Sequence, residues 1–170
     1  MILQIPCQKI ISGGQTGVDR GALDACLELS FPCGGSCPKN RRAEDGIIPE
    51  KYPLNELKES EYEFRTRQNV INSDGTLIIS GISLTGGTKL TMNLAMEFEK
   101  PYFHFSSDSS TDQLVEWIIM NDIRTLNVAG PRQSEWNEAH ARSHQLISQL
   151  IKQIRNFSGT DSTPHSSFKN

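Results

Sequence analysis

The chain has 170 residues, 36% of them apolar and 22% charged, which is enough for one domain with a full core and excludes wholesale disorder. Its net charge of −3 and pI near 5.8 exclude a general attraction to a nucleic-acid backbone or an anionic membrane. No run approaches the roughly 20 apolar residues of a membrane span, and Met1-Ile-Leu-Gln-Ile-Pro6 lacks the basic and apolar regions of a secretory signal, so a cytoplasmic protein with reduced thiols is expected.

Lys9 to Ser12 reads as a short strand, broken at once by Gly13-Gly14-Gln15-Thr16-Gly17. A helix is predicted from about Val18 to Leu29, with Ala22, Cys26 and Leu29 on one face. Pro32 ends it, and a short extended piece through Cys37 follows. Pro38 to Leu57 is a polar loop, long enough to suggest function or mobility. Ser60-x-x-Glu63 has the spacing of a capping box opening a helix to about Asn72. Thr76 to Ser80 is a buried strand, followed by a second glycine break at Leu84-Thr85-Gly86-Gly87-Thr88 and a helix carrying Leu90, Leu94 and Phe98. Tyr102 to Phe105 is a strand, and Ser110-x-x-Gln113 caps the next helix. Arg124 to Ala129 is the last strand, ending in Gly130-Pro131-Arg132, and a final helix is expected from about Glu135 to Ile154. The tail from Phe157 to Asn170 is polar and is expected to be disordered, leaving residues 1–156 as the domain.

Alternation of short apolar strands with helices predicts an α/β fold, a single Rossmann-like three-layer domain with a mostly parallel sheet. In such sheets ligands sit beyond the carboxyl ends of the strands. Glycine turns fall there after three predicted strands, at Gly13-Gly14, Gly86-Gly87 and Gly130. Each precedes a helix, whose free N–H groups and dipole favour an anion. Thr16, Thr85 and Thr88 add hydroxyls at the same rim, so a phosphate site is expected, built with Gln15 and Gly17 of the first turn and Arg132 of the last. Neither a Walker loop nor a G-x-G-x-x-G fingerprint is present, which disfavours an ordinary NAD site. Asp19 is either an acid favoured by the helix dipole, or an acceptor for a ligand hydroxyl or a metal ligand. In the loop Pro38 to Gly46, Lys39, Arg41 and Arg42 are candidates to clamp phosphate, and Glu44 and Asp45 to orient them, bind a metal or act as acids or bases; the alternative is a solvated surface.

Cys33-x-x-x-Cys37 has no second Cys or His pair, so no structural zinc is expected and packing is the simpler role. His104 is read as a partly buried strand residue, and His140 and His144 stand four apart on the last helix without the glutamate of a metalloprotease motif. No metal site is assigned to them.

The segments Ile11 to Asp24, Cys37 to Gly46, Thr76 to Ser80, Leu84 to Thr88 and Asn127 to Arg132 together resemble the family named putative molybdenum carrier proteins, in order and spacing across about residues 9 to 154. That family is a circularly permuted relative of the Rossmann-like LOG-type and lysine-decarboxylase-like proteins. The resemblance implies a nucleotide-derived ligand, with binding or carriage of molybdenum cofactor, itself a phosphate-bearing pterin, and a homodimer or larger assembly. LOG-type phosphoribohydrolases carry P-G-G-x-G-T-x-x-E, whereas Thr91 and Met92 stand where that glutamate is expected. Two functions are therefore carried forward: a binding protein for a phosphate-bearing small molecule, and a nucleotide hydrolase using Glu44, Asp45 or Asp19 as its acid or base. A nucleotide-sensing regulatory subunit is a third.

Overall fold

A computed structural model describes residues 4–158. The chain forms β1 (Lys9–Ile11), α1 (Val18–Glu28), β2 (Cys33–Gly34), β3 (Ser36–Cys37), a 3-10 turn (Lys39–Arg41), β4 (Arg42–Ala43), β5 (Gly46–Ile47), β6 (Asn55–Glu56), α2 (Tyr62–Ile71), β7 (Gly75–Ile79), α3 (Gly86–Glu97), β8 (Tyr102–Phe105), α4 (Thr111–Met120), β9 (Thr125–Ala129) and α5 (Ala139–Ser158). Five strands make one parallel sheet in the order β2-β1-β9-β7-β8.

That order fixes the layers. Right-handed crossovers that run along the sheet in opposite directions must pass over opposite faces. The steps β1 to β2 and β8 to β9 run one way, and β2 to β7 and β7 to β8 run the other. Accordingly α2 packs on α3, and α1 packs on α5 with α4 beside it. The core lies mainly between the sheet and the second group, where Ile10, Leu77, Leu126, Ile147, Leu150 and Ile151 are fully buried. The central strand β7 is buried at all five positions, which explains its unbroken apolar run.

Helices α1 and α5 are also joined by polar contacts. Asp24 accepts from the Tyr52 hydroxyl at 2.8 Å and meets Nε2 of His140 at 2.7 Å, while His144 meets Glu28 at 2.7 Å. The two imidazoles stack 6.1 Å apart. Among the described residues no cluster of three or more metal-ligating side chains occurs, and the four cysteines are free thiols.

Several expectations shift. The Ser60 capping box does not form: α2 starts at Tyr62 with Glu61 as its cap residue and no side-chain cap, and the Glu59 carbonyl just upstream accepts from Lys39 N instead. Ser110 and Gln113 do form the reciprocal box on α4. The last helix begins at Ala139, not Glu135, because residues 131–138 fold as turns against the first loop, with Val18 N donating to Pro131 O at 3.2 Å. It runs through Ser158, two residues into the expected tail; the rest of that tail lies outside the described residues. His104 is exposed, since β8 is an edge strand whose residues alternate exposed and half-buried.

The long polar loop is structured. β4 and β5 form a small antiparallel pair, and β3 pairs with β6 in parallel. The Arg41 guanidinium holds the excursion closed by donating to the carbonyls of Ile48 (3.0 Å), Pro49 (2.9 Å) and Tyr52 (2.9 Å). Hydrogen bonds from a charged donor contribute about 1.5–3 kcal/mol each, net of exchange with water. Arg41→Met should therefore lower stability by at least about 2 kcal/mol in urea titration and open residues 42–54 to limited proteolysis.

Candidate functional site

The ends of β1, β9 and β7 lie side by side, so the three glycine turns predicted from the sequence emerge at one edge of the sheet. There a polar cleft of about 80 Å³ is lined by Gly13, Gln15 and Asp19 from the first turn, Gly87 and Thr88 from the second, and Gly130 and Arg132 from the third. Helix α2 supplies the opposite wall with Tyr62, Glu63, Arg65, Thr66 and Asn69.

Close backbone approach makes this convergence possible. A Cβ at Gly130 would collide with the Ile79 carbonyl and with Val18, and a Cβ on Gly17, at φ +81°, would collide with the backbone of Pro131 to Gln133. By contrast, a Cβ on Gly86 or Gly87 would meet nothing within 4 Å. The first turn of α3 thus presents bare backbone to open space. Thr85 stands before it as cap residue without a side-chain cap bond; its carbonyl accepts from Thr88 N and Lys89 N, which leaves the N–H groups of Gly86 and Gly87 without a partner among the described residues.

Gln15 faces the same cleft and is 7% exposed. Its Oε1 accepts from Thr16 N at 3.0 Å and from Glu44 N at 2.9 Å, which fixes the orientation of the amide. The amide's Nε2 is then the buried side-chain polar atom without a hydrogen-bond partner among the described residues. A buried orphan donor costs free energy unless something accepts from it.

In the cleft wall, Asp19 and Arg65 form a buried ion pair at 3.8 Å. Arg65 also donates to Gly13 O at 2.7 Å, and Asp19 accepts from Gln15 N at 3.1 Å. Burial pushes the Asp19 carboxyl up, against the pull of Arg65 and the Gln15 N–H; burial pushes the Arg65 guanidinium down, against the pull of Asp19. We read the pair as ionised, because separating either charge from its partner would leave it alone in a dry site.

The other predicted residues divide. Arg132 lies 3.6 Å from Glu135 and 4.0 Å from Glu44, and with Arg42 and Arg65 it surrounds the Tyr62 ring at 4.9–5.4 Å. Glu44 lines no wall of the cleft; it accepts from the hydroxyls of Thr16 and Ser134 and so ties the first turn to the third. Burial opposes its ionisation, but the bonds from Ser134 and Thr16 prevail and hold its carboxyl below the ordinary range. Asp45 is paired with both terminal nitrogens of Arg20, chiefly through hydrogen bonds that hold it low as well. Arg41 is spent on backbone carbonyls, Lys39 is exposed, and Gly14 packs against Leu54 and Ile48. The sequence reading missed the whole α2 wall. Its signal was the spacing of Tyr62, Arg65, Thr66 and Asn69, which puts a polar stripe at helical period on a helix that must bury one face.

A parallel α/β domain with glycine turns gathered over the ends of adjacent strands defines a Rossmann-like ligand-binding protein. Within that class, the chain matches the model of the circularly permutated YpsA SLOG family over residues 10–151, and it belongs to that family. It is similar to a crystal structure described as a putative molybdenum carrier protein from Syntrophus aciditrophicus SB, with 41% identity and a TM-score of 0.80 over 88% of this chain and 95% of that one. No curated protein sequence matches the chain.

Two outcomes are expected. Asp19→Asn leaves Arg65 buried without its counter-charge, so chemical unfolding should show a loss of about 3–5 kcal/mol, and adding Arg65→Met should restore part of it. Glu44 and Asp45 are held below their unfolded values, near 4.3 and 3.9, so they add stability above those values and lose it as pH falls through the folded ones. The urea midpoint should thus drop below about pH 4, and drop less steeply in Glu44→Gln with Asp45→Asn.

Proposed function

We propose that the protein binds and carries a phosphate-bearing, nucleotide-like small molecule, with molybdenum cofactor as one candidate cargo. The observation that carries this reading is the pairing of a bare α3 N-terminus, open at Gly86 and Gly87, with the unpartnered Nε2 of Gln15 in one cleft. Both features are donors without acceptors, and an oxyanion is the ligand that satisfies both. Arg132 at the rim adds positive charge. The name of the Syntrophus protein supports carriage of a molybdenum species, and a pterin phosphate would place its phosphate on the same turn.

What supports carriage over hydrolysis is the state of the three acids considered as bases. Asp19 is neutralised by Arg65, Asp45 by Arg20, and Glu44 is occupied by Thr16 and Ser134. Where LOG-type chemistry has its glutamate, Thr91 donates to Gly87 O at 2.8 Å. A general base needs a free lone pair directed at water or substrate.

Calorimetry with inorganic phosphate, ribose 5-phosphate and purine mononucleotides tests the reading. Gly87→Val places a side chain in the open cradle and should weaken binding at least about tenfold while leaving the melting temperature unchanged. Gln15→Glu replaces the orphan donor with a second carboxylate oxygen and should weaken it as much. Wild-type heats in both variants would overturn the assignment, and mass spectrometry of co-purifying small molecules would identify the cargo.

A further inference from the structure

A second hollow of about 510 Å³ opens beyond the ends of β7 and β8, beside the N-terminus of α4 and the first turns of α5. It adjoins the phosphate cleft. Gly130, in the cleft wall, lies against the carbonyl of Ile79, in the wall of the hollow. Glu135 and Trp136 are consecutive, yet the first lines the cleft and the second the hollow.

The two spaces differ in chemistry. The cleft is small and rich in backbone donors. The hollow is wide and lined mostly by serine, threonine, glutamine and charged side chains, among which Phe105 and Trp136 supply the two aromatic rings. Trp136 lies close on Gly81, where a Cβ would come within 2.8 Å of its ring, so this glycine lets the indole settle against the strand end. Around the rim, Gln145 and Ser107 have side chains with no protein partner among the described residues, and Arg142 is paired with Glu138 at 3.3 Å. An amide and a hydroxyl offer donors and acceptors together. The hollow's volume lies within the about 300–1,000 Å³ of small-molecule sites, and two aromatic rings among many hydrogen-bonding groups suit a ring with polar edges.

We propose that this hollow is the subsite for a planar bicyclic heteroaromatic ring of the same ligand whose phosphate occupies the cleft. The inference rests on the phosphate reading given above. A cleft of about 80 Å³ encloses a phosphoryl group and leaves the remainder of a nucleotide-sized molecule outside. Across the strand ends, the ring is received between Trp136 and Phe105, with Gln145 reading its polar edge. The Rossmann-like fold thereby acquires a bipartite site, one half for the phosphate and one for the ring.

The probes are GMP, which carries both groups, and ribose 5-phosphate, which lacks the ring. In calorimetry the wild-type protein is expected to bind GMP at least about tenfold tighter than ribose 5-phosphate. Gln145→Trp fills the hollow from an exposed helix position and should bring GMP down to the affinity of ribose 5-phosphate, with the latter unchanged. Ser107→Trp fills it from the other side and serves if the first variant melts below wild type. Equal binding of the two ligands by the wild type, or a preference for GMP that survives both fillings, overturns the ring subsite alone. Failure of every phosphate ester to bind overturns the cleft reading and this inference with it.

Discussion

The buried pair of Asp19 and Arg65 is the contact on which the site depends. Arg65 reaches from α2 beneath the first glycine turn to Gly13 O, and Asp19 takes the N–H of Gln15 from the start of α1. Two elements on opposite faces of the sheet are thereby fastened to one turn. The pair is costly to desolvate, and hydrophobic residues of equal volume could hold the layers together as well. They could not hold the backbone of residues 13–15 in a fixed position, which requires a donor for a carbonyl and an acceptor for an N–H.

From that fixed turn the rest of the cleft follows. Gln15 is oriented by the N–H groups of Thr16 and Glu44, and Glu44 in turn receives Ser134 from the third turn. The chain of bonds spans loops far apart in sequence and ends with a donor that has nothing to donate to. A network complete but for one buried donor, on a residue that lines the cleft, holds that wall in a fixed shape.

Charge is managed with the same economy. The overall charge is slightly negative, yet Arg42, Arg65 and Arg132 gather around one tyrosine ring. The ring's negative faces lessen their repulsion, and Asp19, Glu44 and Glu135 balance two of the three. Three carboxylates set against three guanidiniums keep this rim from becoming a broad basic patch.

Strands, most helices and the three glycine turns were legible in the sequence, because short apolar runs, Gly-Gly pairs and the Ser110 box are local signals. So were Gln15, Asp19, Gly87, Thr88 and Arg132 as residues at strand ends. Tertiary structure alone decided which charges were available. Arg41 read as a phosphate clamp and Asp45 as a group to orient it, hold a metal or act as acid or base, but the fold spends one on carbonyls and the other on Arg20. Nor could the sequence show that α2 brings Tyr62 and Arg65 across the sheet edge, or that Trp136 opens onto a separate hollow. Those are pairings between segments distant along the chain, and a linear pattern records what each residue prefers, not which partner the packed layers deliver to it.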